Sequence, residues 1–352
     1  MSNKPLFNRY NMNASYKINL ECYDYSGRGY YLYDKRVFDF SAVELQHHIV
    51  TCGMPRTYFT KQVKNERKNE ILYKMYLMQT ALEVDQNDFV VVSDNIKYLD
   101  TTEKAFISYN IGMFNTKLLS NREFGYTYLV HLGVVKKYKN VKLLSRRQPD
   151  LIGFNIQSNN YSIFEAKGRC SKNISPKTLF NARKQINSVD CIDKLKLKER
   201  VICVAHPIQE GCRIICSVYR DFTLGQEEKV DNTKKIKIST EELLYLYYAP
   251  IYELVKEEKE NGDLFIDEIS CRVKMPKEIY KLFKKYLDSD LEVSYEELAS
   301  ELSKIVQHIS KENNNSDSPR YANSNVFTVV PITSLPICIP LSTSSVSFIS
   351  GL

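Results

Sequence analysis

The chain has 352 residues, 43% of them hydrophobic and 26% charged, with a formal net charge of +7. That length can bury a substantial core in two or three domains, and no run of about twenty apolar residues could span a bilayer as a helix. No apolar N-terminal stretch resembles a signal peptide, and nine cysteines with no CxxC pair lack the spacing of a zinc set, the usage expected of a cytoplasmic protein.

Taken in chain order, residues 1–100 read as a small α+β domain. It holds aromatic strand-like pieces (Tyr30-Tyr31-Leu32-Tyr33, Phe89-Val90-Val91-Val92) and a polar helix over about 61–83. Residues 103–132 read as one helix, because Phe106, Ile107, Ile111, Phe114, Leu118 and Leu119 recur at three- and four-residue steps, and Gly133 fits its stop. Val141-Lys142-Leu143-Leu144 is a short strand, followed by strands over 150–156 and 161–167 around the polar turn Gln157-Ser158-Asn159-Asn160. Ser175-Pro176 opens a helix over roughly 177–195, since proline suits a first helical turn. Strands follow at 201–205 and 213–219. A Lys- and Asp-rich linker at 228–238 leads into a polar helical region, 239–311, with capping-box starts at Ser239/Glu242 and Ser294/Glu297. There, Ile279, Leu282, Phe283 and Leu287 form an apolar stripe. The remainder, 312–352, is a low-charge tail rich in Ser, Thr, Pro and Ile. Its Pro331, Pro336 and Pro340 exclude a membrane helix and a regular central strand and leave edge pairing or disorder.

One stretch names a chemistry. Pro149-Asp150 opens one strand, and Glu165-Ala166-Lys167 lies on the next. Side chains two apart in a strand share a face, so Glu165 and Lys167 emerge together. A hairpin brings Asp150 alongside. Two carboxylates suit Mg²⁺ or Mn²⁺, and a lysine beside them can orient or deprotonate a water that attacks a phosphodiester. Register decides whether the acids meet. A two-residue Asn159-Asn160 turn would set Asp150 opposite Arg169, whereas a turn centred nearer 157 and 158, or a bulge, would bring it to Glu165. Singly, Asp150 reads equally well as a turn opener, and Glu165 with Lys167 as a solvated strand face.

Charge points the same way. Residues 101–222 hold 21 Lys and Arg against 9 Asp and Glu, a net of +12, so the rest of the chain sums to −5. Lys136, Lys137, Lys139, Lys142, Arg146 and Arg147 precede the motif, and Arg169, Lys172, Lys177, Arg183 and Lys184 follow it. Of these, Arg146, Arg147, Arg169, Lys172, Arg183 and Lys184 are the candidate phosphate contacts for a nucleic acid.

Pro149, Asp150, Glu165 and Lys167, set in a helix–three-strand–helix–strand order, resemble the PD-(D/E)xK or restriction-endonuclease-like nuclease superfamily over roughly residues 103–222. The resemblance implies an α/β fold with an αβββαβ core, a mixed sheet flanked by helices, over 101–227. An N-terminal α+β region and a C-terminal helical region would flank it. It implies a Mg²⁺- or Mn²⁺-dependent nuclease acting on DNA, with RNA an open alternative, in prokaryotic restriction, repair or antiviral defence. Asp150 and Glu165 would hold the metal and Lys167 would position the water. A third acid on the first core helix would be Glu123 or Glu103, although Asp100 makes Glu103 look like half of a capping box. Gln185 would approach the lysine from the second core helix. His131 reads better as a helix-end group than as a ligand. Double-strand cleavage would take two active sites and hence a homodimer, and any ATPase or helicase activity would come from a partner, because the chain has no Walker-type phosphate loop. The competing reading is a nucleic-acid-binding or scaffold protein that keeps the acids without cutting.

Overall fold

The computed structural model describes residues 3–6, 14–26, 29–51, 64–139, 148–170, 174–192, 195–207, 213–221, 234–256, 262–266, 271–287, 295–314 and 328–331. In chain order these form β1 (Lys4–Pro5), β2 (Ser15–Tyr25), β3 (Tyr30–Ser41), α1 (Ala42–Thr51), α2 (Lys64–Ala81), β4 (Leu82–Val84) and β5 (Val90–Val92). A 3-10 turn at Asp94–Tyr98 leads to α3 (Thr101–Arg122), β6 (Tyr128–His131), α4 (Leu132–Tyr138), β7 (Leu151–Asn155), β8 (Asn160–Gly168) and α5 (Pro176–Ile186). Then come β9 (Val189–Ile192), β10 (Lys196–Pro207), β11 (Ile214–Asp221), β12 (Lys234–Ile236), α6 (Thr240–Val255), β13 (Asp263–Ile266), β14 (Cys271–Lys274), α7 (Lys277–Leu287), α8 (Tyr295–Asn314) and β15 (Thr328–Pro331).

The centre is a mixed seven-stranded sheet in the order β3-β2-β11-β10-β8-β7-β6. Strand β10 is parallel to β8 and antiparallel to β11, and β11 is parallel to β2. Val201, Ile202, Cys203, Val204 and Ala205 of β10 are all buried, the continuous apolar run of a strand covered on both faces. Helix α3 covers the face that carries Phe164 and Ala166. Gly112 of α3 abuts Gly168, and Asn115 accepts from Cys216 Sγ. Helix α5 covers the opposite face, where Arg200 reaches back to the carbonyl of Ile186. From residue 107 to 120, α3 is buried almost all round, which is why its apolar residues form no single stripe.

Several expectations are revised. Helix α3 ends at Arg122, not near 132, and Gly125, in the left-handed region at φ 70°, follows its end. Gly133 stops nothing, because it sits in the first turn of α4. The first strand of the hairpin meander is Tyr128–His131, and the expected strand at 141–144 lies outside the described residues. The second helix ends at Ile186 rather than 195. The boundary drawn at residue 100 does not separate two sheets, since β2 and β3 continue the central one. In the C-terminal region α6 is apolar rather than polar, and a β13–β14 hairpin interrupts the helices. The Ser239/Glu242 capping box is formed, whereas Ser294 lies outside the described residues. Part of the tail does pair, as edge strand β15 against β14. Among the described residues, no helix is long and apolar enough to cross a membrane.

Candidate active site

The β7–β8 hairpin builds the site. Asn155 pairs with Asn160, so the turn is the four residues 156–159, and Asn159 takes a positive φ of 49°. Asn155 Oδ1 accepts from the backbone N–H of Gln157 at 2.9 Å and of Ser158 at 3.1 Å, the local bonding that suits asparagine to a turn opening. With this turn Leu151 faces Phe164 and Ile152 faces Ile163. Carrying the register one residue further places Asp150 opposite Glu165, not Arg169. The centre of the turn falls between 157 and 158, the position that a shared site requires.

Asp150 is anchored twice. Its carbonyl accepts from Leu132 N–H at 2.9 Å, and its Oδ2 accepts from Ala166 N–H at 2.9 Å. Glu165 is fully buried, and one carboxylate oxygen is ion-paired with Lys167 Nζ. The other oxygen, Oε2, meets no donor among the described residues, and the side chain within hydrogen-bond reach of this carboxyl besides Lys167 is the second acid, Asp150. Burial, followed by the charge of Asp150, pushes the Glu165 carboxyl well above its ordinary range; Lys167 acts the other way without reversing it. Burial and a like charge outweigh one cation that is itself a quarter exposed. An acid with an orphaned oxygen beside a second acid is costly without a cation. The donor set, hard oxygens from two carboxylates, therefore fits a divalent metal. Among the described residues no three His, Cys, Asp or Glu side chains converge on one point, and no further acid joins this pair.

Gln185 lies where a supporting residue would be useful. Its Nε2 donates to the Gln148 carbonyl at 3.0 Å, and Lys136 Nζ donates to Gln148 Oε1 at 2.7 Å. Gln148 leads directly into Pro149-Asp150, so α4 and α5 both brace the approach to the acid. Nothing in residue spacing marks Gln148, because a carbonyl held by a distant helix leaves no signal in the sequence.

The auxiliary acids sit elsewhere. Glu123 caps the C-terminal end of α3 and pairs with Arg36. It is eleven residues past Gly112, the point where α3 meets Gly168, or roughly 16 Å along the axis at 1.5 Å per residue. Glu103 forms a reciprocal capping box with Asp100, so its carboxylate serves the helix start. His131 is the N-cap of α4, with Nδ1 accepting from Gly133 N–H at 3.0 Å.

Much of the basic surplus is used internally. Arg183 Nε pairs with the buried carboxylate of Asp221 at 2.7 Å, Arg213 with Asp85 at 2.9 Å, and Lys139 with Glu242. Arg122 holds Glu44 through two bonds of 2.6 and 2.7 Å. Arg200 is buried and donates to two carbonyls. Of the candidate phosphate contacts, Arg183 is thus committed to the fold. Arg169 donates to Thr178 Oγ1 at 2.8 Å, and Lys184 is exposed, 4.2 Å from the centre of the exposed Phe180 ring. Arg146, Arg147 and Lys172 lie outside the described residues.

Comparison of the chain with family models, curated proteins and solved structures gave no match.

Proposed function

We propose that this chain is a metal-dependent nuclease that hydrolyses phosphodiester bonds of DNA, built on a core of the PD-(D/E)xK type. One observation carries the reading. The hairpin register sets Asp150 against Glu165, with Lys167 beside them and one buried Glu165 oxygen unsatisfied. In this reading Asp150 and Glu165 hold Mg²⁺ or Mn²⁺, which when bound would offset charge developing on the scissile phosphate. Lys167, the partly exposed member, holds the attacking water through its ammonium hydrogens. Asp150 stays aimed because Ala166 N–H and Leu132 N–H fix both of its ends. Gln185 and Lys136 keep the preceding turn in place through Gln148.

A second reading has its own support. Glu103 and Glu123 are taken up by a helix cap and by Arg36, and Arg183 by Asp221. A pair of acids with neither auxiliary acid beside it suits a nucleic-acid-binding or scaffold protein that keeps the acids without cutting. Incubation with supercoiled plasmid in Mg²⁺, Mn²⁺ or EDTA separates the two. Nicking that requires metal and drops by about 100-fold or more in Glu165→Ala/Lys167→Ala supports the nuclease. Equal nicking by that variant, or DNA binding without cleavage that the variant leaves unchanged, would sink it.

A further inference from the structure

Strand β3 is one edge of the seven-stranded sheet, and among the described residues no strand pairs with its outer side. It runs for twelve residues, Tyr30–Ser41, without a proline. Tyr31, Leu32, Tyr33 and Val37 on it are 44% to 51% exposed. A long edge with apolar side chains and open backbone donors and acceptors is a template for another strand.

The register with β2 shows which side chains share a face. Leu32, Lys35 and Val37 lie opposite Tyr23, Glu21 and Asn19, alternate residues of β2, and so project together. Tyr31, Asp34, Arg36 and Phe38 lie opposite Asp24, Cys22, Leu20 and Ile18, and project to the other face. Tyr33 is the extra residue where the register shifts, a bulge that keeps the two halves of the strand in step.

Turned end for end about Lys35, this pattern matches itself. On one face Leu32 meets Val37 of a second copy. On the other face Tyr31 meets Phe38 and Asp34 meets Arg36. Apolar groups oppose apolar groups and an acid opposes a base, the cross-strand pairs that stabilise an antiparallel ladder. Arg36 also holds Asp34 and Glu123 within its own chain, but a guanidinium has N–H donors to share. The unfavourable row is Lys35 against its copy, and each of these lysines is already paired with its own Glu21 at 2.9 Å. Such matching favours a strand meeting its own copy, because a two-fold axis repeats every favourable pair.

We propose that the chain forms a two-fold dimer in which β3 pairs antiparallel with β3 of a second copy, joining the two central sheets. The inference does not rest on cleavage at Asp150 and Glu165, although a dimer carries the two sites that cutting both strands of a duplex takes.

Analytical ultracentrifugation of the full chain over a hundredfold range of concentration tests it. The mass should rise from 41.0 kDa toward twice that value. Leu32→Lys, at an exposed position, should weaken association tenfold or more by setting a cation against Val37 and beside Lys35. Adding Val37→Glu to that variant should restore association, because the axis brings the two substituted positions face to face. Hydrogen exchange on the unsubstituted chain gives a reading that does not hang on how a variant folds. The outward amides between Tyr31 and Phe38 should exchange more slowly as concentration rises. Glu165→Gln should dimerise like the unsubstituted chain, so failure of the nuclease reading leaves this result standing. A chain that stays at 41.0 kDa throughout, a dimer that Leu32→Lys leaves intact, or a loss that Val37→Glu does not repair overturns the proposal.

Discussion

Glu165 is the residue whose energetics and function meet. Its carboxyl holds a proton more tightly in the folded chain than in the unfolded one, because it is buried and faces Asp150. The associated stability is whole below the ordinary glutamate range and is lost as pH climbs through the raised folded value. Without metal, the melting temperature should fall from about pH 5 to pH 8, and Glu165→Gln should flatten that slope, since the amide keeps the shape and discards the charge. A divalent cation favours the ionised acid, so Mg²⁺ should raise the melting temperature at pH 8 and not at pH 5. The gain is about 2.7 kcal/mol at one hundred times Kd, and it should vanish in Glu165→Gln. A melting curve insensitive to Mg²⁺ at pH 8 would remove the metal from this site. These residues were legible before any coordinates, because the acids and the lysine sit at strand spacing around a polar turn. The orphaned Oε2 and the Gln148 brace were not, since both depend on what α4 and α5 bring from elsewhere in the chain.

At the scale of elements, the approach of α3 to β8 depends on a pair of glycines. A Cβ on Gly168 would stand 1.6 Å from the Ser108 carbonyl oxygen, and one on Gly112 would stand 2.5 Å from Gly168 N. Backbone meets backbone here, so neither side can give way cheaply. Gly168→Ala should therefore cost about 3 kcal/mol, the upper end of overpacking penalties, by lifting α3 from the strand that carries Lys167. Gly125→Ala is the control. Its φ is 70° but nothing lies within 4 Å of the added carbon, so only the left-handed penalty of about 1–2 kcal/mol applies. Urea unfolding of both variants checks the order, and equal losses would mean the contact is softer than the geometry indicates. Sequence periodicity located α3 and the start of α5 at Ser175-Pro176, but ran α3 on to 132. Phe124, Tyr126, Tyr128 and Val130 alternate with period two and are buried, so the stretch is apolar enough to pass for helix once the turn at Gly125 is overlooked. Helix α6 reads as polar in sequence because Glu241 and Glu242 crowd its first turn, whereas Leu243 to Val255 are buried except for Glu253.

For the whole molecule, the question is whether the C-terminal region is an appendage or part of the core. Tyr128 of β6 packs its ring 5.2 Å from Tyr247 and 6.2 Å from Tyr248, both on α6. Lys117, buried in α3, lies 5.4 Å above the Tyr247 ring, and Lys139 pairs with Glu242. Edge strand β6 is thus covered by α6 rather than by solvent, which explains why Tyr128, Leu129 and Val130 are all buried at a sheet edge. Each large apolar side chain kept from water contributes about 1.5–3 kcal/mol. Two or three of them amount to much of a typical domain stability of about 5–15 kcal/mol. A chain ended at Ile238 should therefore lose its cooperative fold, and the full chain should unfold in one calorimetric transition that includes β6. Two separate transitions in the full chain, with the upper one retained unchanged after truncation, would show that α6 to α8 merely lean on the sheet and leave it to fold alone.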